Sequence, residues 1–186
     1  MKWMGRLIIK IPLDLWVFQE IIHETKPTVI IEIGNARGGS TLFLANLLDI
    51  IKNGKVVAID IDHRWVKDLN HPRIKWITGD VTNMEVFRKV QKEIKKDDRV
   101  MIIEDSSHMY DKTLSILNLY SSLVSVGCYF IVEDSYFTYD FVDGPKPGPY
   151  ESIHTFLKKH NEFEIDKNRE KFQISYNPDG YLKKIR

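Results

Sequence analysis

The sequence predicts an α/β fold with a mostly parallel sheet, and three observations carry that expectation. Short apolar runs of strand length alternate with stretches of helical spacing from Thr28 onward. A glycine-rich segment, Gly34-Asn-Ala-Arg-Gly-Gly39, joins the first such run to the helical stretch that follows it. Two later runs end abruptly in carboxylates, at Glu104-Asp105 and Glu133-Asp134. Strands that alternate with helices must be joined by crossovers, and crossovers give a parallel sheet. In such a sheet ligands bind beyond the carboxyl ends of the strands, so the glycines and both acidic clusters fall on one rim.

Each element follows in order. After a short leader containing Trp3, Pro12 to Thr25 carries Leu15, Phe18 and Ile22 at helical spacing, with Pro12 at an early position where a missing N–H costs little. Thr28–Ile33 is a buried strand, and Ser40–Ile51 a helix stopped by Asn53-Gly54. Lys55–Asp60 and Arg73–Thr78 are further strands. Thr82-Asn-Met-Glu85 has capping-box spacing and opens a helix toward Lys96. Val100–Glu104 is a strand, Asp111–Val124 a helix, and Tyr129–Val132 another strand. From Ser135 to Tyr150 the period is lost among aromatics, Gly and Pro, so residues 135–150 read as a substrate loop or lid. A helix over Tyr150–His160 and short strands near Glu162–Asp166 and Lys171–Ser175 close the chain, with an antiparallel strand expected at the C-terminal end. No repeat or linker interrupts this, and 1–186 is expected to be a single domain, residues 1–27 being leader and first helix.

Bulk properties exclude several classes. Lys plus Arg (27) nearly balance Asp plus Glu (26), so no global field favours nucleic acid or an anionic membrane. The run from Lys89 to Lys96 is broken by Glu93 and reads as a solvated helix face. Cys128 is the single cysteine, which suits a reducing compartment. No apolar run approaches the ~20 residues of a membrane span, and Lys10, Pro12 and Asp14 interrupt any signal-peptide pattern. A cytoplasmic protein is the expectation.

The acidic rim suggests a metal. Carboxylates held ~4 Å apart repel by about 4 kcal/mol per pair at an effective dielectric of about 20. A hard divalent cation offsets that repulsion, and all-oxygen ligands select Mg²⁺, Ca²⁺ or Mn²⁺. His108 stands beside the cluster as a candidate base.

The glycine loop suggests a nucleoside cofactor without phosphates. Its spacing is GxxxGG, not the GxGxxG of dinucleotide folds, and Ser-Thr follows where a P-loop needs Lys. With Glu32 ahead of it, the loop suits the charged amino-acid end of S-adenosylmethionine (SAM). Asp60 is placed to accept from both ribose hydroxyls, the role an acid plays there in dinucleotide folds. Asp80 could take the adenine side, and Arg37 either the SAM carboxylate or solvent.

Several segments together resemble the cephalosporin hydroxylase family: Glu32-Ile-Gly-Asn-Ala-Arg-Gly-Gly-Ser40, Ile59-Asp-Ile-Asp62, Asp105-Ser-Ser-His108, Leu123-Val-Ser-Val-Gly127 and Ile131-Val-Glu-Asp134. Trp3-x-Gly5 and Asn177-Pro-Asp-Gly-Tyr-Leu-Lys183 extend the match over nearly the whole chain. The resemblance implies a single-domain, Rossmann-like class I methyltransferase fold, with kinship to macrocin- and rhamnosyl-type O-methyltransferases. It implies Mg²⁺ at Asp105, Glu133 and Asp134, and SAM at Glu32, Gly34, Gly39, Ser40 and Asp60. Beside these, Arg37, Asp80 and Asp105 are candidate cofactor contacts by their places on the same rim. His108 takes the position of the family's base. Glu104 stands where the family has an apolar residue, which leaves open which carboxylate faces a metal.

The expected activity is methyl transfer from SAM to a hydroxyl of a sugar or other hydroxylated natural product, a vicinal diol being favoured because it offers a metal two oxygens. Tyr136, Phe137, Tyr139 and Phe141 are candidates for the acceptor pocket or for lid self-packing. A homo-oligomer is compatible with the resemblance. Rival readings are a SAM-binding protein without catalysis and an NAD-linked oxidoreductase, the latter disfavoured by the loop spacing. Iron-dependent oxidation lacks its ligands, since no HxD occurs and the only HxE, His160-Asn-Glu162, lies at a charged helix end.

Overall fold

The computed structural model describes residues 1–186. A hairpin of β1 (Lys2–Trp3) and β2 (Arg6–Leu7) leads into α1 (Pro12–Thr25). Then come β3 (Val29–Ile33), α2 (Gly39–Ile50), β4 (Lys55–Asp60), β5 (Ile74–Thr78), α3 (Met84–Lys92), β6 (Val100–Glu104) and α4 (Tyr110–Tyr120). The chain ends with β7 (Tyr129–Val132), α5 (Pro149–Leu157), β8 (Phe163–Ile165) and β9 (Tyr181–Lys184).

The main sheet has the order β5-β4-β3-β6-β7-β9-β8. Pairings from β5 through β7 are parallel, and β9 runs antiparallel to both β7 and β8. The four central strands, β4, β3, β6 and β7, are apolar almost throughout and buried along their length, as strands covered on both faces must be. Strand order reverses between β3 and β6, and the crevice at that switch point is where the site forms.

Local boundaries depart from expectation in five places. The leader is a two-stranded hairpin, with Trp3 against Phe43 edge-on and its indole N–H donating to Asn46. Asn83, not Thr82, caps α3, its side chain accepting from the Glu85 N–H, because Thr82 is turned back onto Asp80. That helix stops at Lys92, and the α4 stretch passes into a 3₁₀ turn at Ser121–Leu123. Lys171–Ser175 is not a strand; the expected antiparallel C-terminal strand is instead Tyr181–Lys184. Its Tyr181 and Leu182 face the core while Lys183 and Lys184 lie at the margin. Asp14 pins α1 to this C-terminal segment by accepting from Ser175 Oγ, Tyr176 N–H and Tyr181 OH. No helix is long and apolar enough to cross a membrane.

Candidate active site

A cavity of about 460 Å³ opens at the switch point, over the carboxyl ends of β3, β4 and β6. Gly34, Arg37, Gly39, Ser40, Asp60, Asp80, Asp105, His108 and Asp134 all border it. Two glycines make its floor possible. Gly34 has φ +85°, and a Cβ there would meet the Asp105 carbonyl oxygen at 2.0 Å. At Gly39 a Cβ would meet the Leu7 carbonyl oxygen at 2.1 Å, so the N-terminal strap lies directly on the start of α2.

On the β4 side, Asp60 Oδ2 accepts from the Asn35 and Ala36 N–H groups at 2.7 and 3.0 Å, which fixes the loop. Its Oδ1 carries only the Asp62 N–H at 3.2 Å. Asp80 is bound by Lys112 and by Thr82, and the Thr82 N–H leads the causes that hold its carboxyl down at about 2. The Arg37 guanidinium carbon sits over the Trp65 ring, 3.8 Å from its centroid. His63 is taken up by Thr78 and Asn35, and His71 by Asp49. Glu32 does not border the cavity: it is fully buried, accepting from Asn35 and Thr41. Burial pushes its carboxyl above the usual range, with Lys10 pulling the other way. Its role here is to brace the loop from beneath.

The acidic rim sorts itself by strand alternation. Glu104 turns inward, where it accepts from Ser106 and from Thr113 Oγ1 and is fully buried. Asp105, one residue on, faces the cavity. Asp105, His108 and Asp134 present ligand atoms all within 4.8 Å of one another. His108 Nε2 lies 3.3 Å from Asp134 Oδ2 and 4.0 Å from Asp105 Oδ1, while its buried Nδ1 has no partner. Both His108 and Asp134 hold left-handed backbone, φ +56° and +57°, a strained state for side-chain-bearing residues. Asp134 is kept there by the C-terminal turn: its N–H donates to Asn177 Oδ1, and Ser135 Oγ donates to the Pro178 carbonyl. Burial first, then Asp105, pushes the Asp134 carboxyl up to about 7.

Glu133 lies deeper, and the residue that meets it was not among those singled out from the sequence. Lys10 Nζ donates to Asp105 Oδ2 and Glu133 Oε1, both at 2.5 Å, with its side chain only 3% exposed. Burial alone would lower the Lys10 pKa, but Asp105 and Glu133 outweigh it and the ammonium is held charged. A signal was present: Leu7-Ile-Ile-Lys-Ile11 alternates, with Ile8 buried, Ile9 74% exposed and Lys10 buried. A lysine at an inward position of an extended apolar segment demands a carboxylate partner.

The candidate acceptor aromatics lie beyond His108 and do not border the cavity. Tyr136 is stacked between Phe137 and Tyr176, and Phe137 sits 5.8 Å from the His108 ring. Tyr139 and Phe141 stack on each other, with Phe141 87% exposed.

Comparison with known proteins fixes the family. The profile of the family described as Rhamnosyl O-methyltransferase/CmcI matches residues 1–185. The chain belongs to this family. It is therefore an O-methyltransferase in class. A curated rhamnosyl O-methyltransferase of Mycobacterium leprae is 32% identical over 190 residues, covering 97% of this chain and 81% of that protein. Among solved structures, an apo structure of CmcI superposes with a TM-score of 0.78 at 22% identity, covering all of this chain and 76% of that one. A Mg–SAM structure of CmcI gives 0.76 at 21% identity, covering 100% and 77%. These superpositions establish the class I methyltransferase fold for this rhamnosyl O-methyltransferase/CmcI family member, with the one antiparallel strand β9 near its end.

Proposed function

We propose that the protein transfers the methyl group of SAM to a hydroxyl of a sugar or related hydroxylated acceptor, with Mg²⁺ or a similar cation held by Asp105, Glu133 and Asp134. The observation that carries this is the cavity itself: a glycine-floored cradle with Asp60 at one end and a carboxylate cluster with His108 at the other. The Mg–SAM content of the CmcI structure and the rhamnosyl acceptor named for the mycobacterial relative support the same reading.

The residues present fit both groups. Crowded carboxylates whose pKa values are raised by burial and by each other are short of positive charge, and an oxygen donor set suits a hard cation. When bound, SAM supplies an electrophilic methyl and the cation supplies Lewis acidity toward an acceptor hydroxyl.

The chain's own residues do the rest. Gly34, Gly39 and Ser40 let the backbone approach the cofactor, and Asp60 Oδ1, which carries only the Asp62 N–H, is the acceptor for ribose hydroxyls. Arg37 and Asp80 border the same space. His108 Nε2, the nitrogen turned toward the cluster, takes the acceptor proton, and Asp105 and Asp134 stabilise the imidazolium. The 135–150 segment and its aromatic stack cover the acceptor side.

Calorimetric titration of SAM and S-adenosylhomocysteine, with and without Mg²⁺, tests this on the wild type and Asp105→Ala. Micromolar cofactor binding with a Mg²⁺ site lost in the variant is the expected result. No cofactor binding under any condition would overturn the reading.

A further inference from the structure

From the placement of one ammonium, we infer that Lys10 is a built-in counter-cation that shares the metal carboxylates and sets how tightly the site takes a divalent cation. This rests on the reading of Asp105, Glu133 and Asp134 as cation ligands.

The two oxygens of Asp105 are divided. Oδ2 accepts from Lys10, and Oδ1 faces His108 and, beyond it, Asp134. Glu133 likewise gives Oε1 to Lys10. The ammonium thus takes Asp105 Oδ2 and Glu133 Oε1, leaving Asp105 Oδ1 and Asp134 Oδ2, the oxygens near His108, to an incoming cation.

The ammonium also cannot be displaced easily. It rides on the strap of residues 7–10, and Leu7, Ile8, Ile9 and Lys10 all border the cofactor cavity. The strap is fixed at both ends. Ile8 is buried and its N–H donates to the Met1 carbonyl, while the Leu7 carbonyl abuts Gly39. Beyond Lys10 the chain enters α1, which Asp14 anchors to the C-terminal segment.

Charge accounting then assigns the role. When all three carboxylates are ionised they carry three negative charges; a divalent cation and one ammonium cancel them, and neither alone does. Without a metal, Lys10 keeps the buried carboxylates from standing unpaired. With one, it repels the cation across carboxylates they share.

The test is Mg²⁺ calorimetry and thermal melting of the wild type, Lys10→Met, Lys10→Gln and Lys10→Arg. Both neutral variants should melt below the wild type without metal, bind Mg²⁺ at least tenfold more tightly, and gain more in Tm from it. The Arg variant should bind Mg²⁺ like the wild type. A neutral variant that folds only when Mg²⁺ is added also supports the role. Equal or weaker Mg²⁺ binding in both neutral variants overturns it, as does an Arg variant that binds as tightly as the Met one. If none of the four proteins binds Mg²⁺ while S-adenosylhomocysteine still binds, the metal reading itself fails, and the role of Lys10 with it.

Discussion

The two halves of the sheet rim are built by opposite means. Around β3 and β4 the surface is built from backbone: glycines, amide groups fixed by Asp60, and an arginine resting on Trp65. Around β6 and β7 it is built from buried charge, with Asp105, Glu133 and Asp134 gathered about Lys10 and His108. On the proposed reading the first half holds the cofactor by backbone approach and through Asp60, so a lost contact there weakens binding. The second concentrates electrostatics in low dielectric, where one lost group changes the chemistry. The halves meet along the β3–β6 pairing, and at its carboxyl end Gly34 lies against the Asp105 carbonyl.

Substitutions can break that contrast or sharpen it. Asp105→Ala should have the largest effect, lowering turnover by roughly 10³-fold or more, since metal activation contributes several kcal/mol; retained Mg²⁺ binding and turnover would dissolve the distinction. His108→Ala should cost about 10²-fold or more in turnover while leaving S-adenosylhomocysteine and Mg²⁺ affinities in place, the signature of a lost base. Gly34→Ala strikes the seam between the halves: positive φ and a backbone clash should cost about 1–3 kcal/mol of stability, read from denaturant melts. Asp60→Ala should weaken cofactor binding about tenfold or somewhat more and leave the Mg²⁺ site intact, because charged hydrogen bonds contribute roughly 1.5–3 kcal/mol.

The smallest effect is a pH slope. Burial raises the Glu32 pKa, so the folded state holds a proton that the unfolded chain releases. Its contribution is full below the ordinary glutamate value of about 4.3 and is lost as pH rises through the folded value. Glu32→Gln lacks that loss, so its stability relative to wild type should improve from acid to neutral pH. Parallel stability curves for the two proteins would show that Glu32 does not titrate on folding.

Legibility in the sequence follows the same divide. The central strands and α1 could be read residue by residue because apolar runs and Pro12 encode them locally. Gly34, Gly39, Asp60, Asp105 and His108 were legible because strand ends and loop spacing place them. What escaped depends on contacts across the chain. Lys10 finds its partners 95 and 123 residues away, so nothing local marks it beyond the alternation around Ile8 and Ile9. Glu104 and Asp105 are adjacent, and only the pairing of β6 decides which one faces in. Tyr181–Lys184 becomes a strand because β7 and β8 offer it two edges, although its lysines suggest a solvated tail. Asn83 displaces Thr82 as a cap because Asp80 claims the threonine first.

The segment over residues 135–150 is joined to this centre on different terms. It follows Asp134 directly, is held by Ser135 on the C-terminal turn and by Thr138 on Glu151, and contributes none of the cavity-lining carboxylates or glycines. Its Phe137 ring lies 5.8 Å from that of His108 without bordering the cofactor cavity. If the segment covers the acceptor side as proposed, drift in its sequence would alter which molecule is admitted without disturbing how the methyl group is moved. In a lineage that diversifies by acceptor, this stretch is the interchangeable part, and in the laboratory it is the stretch to graft.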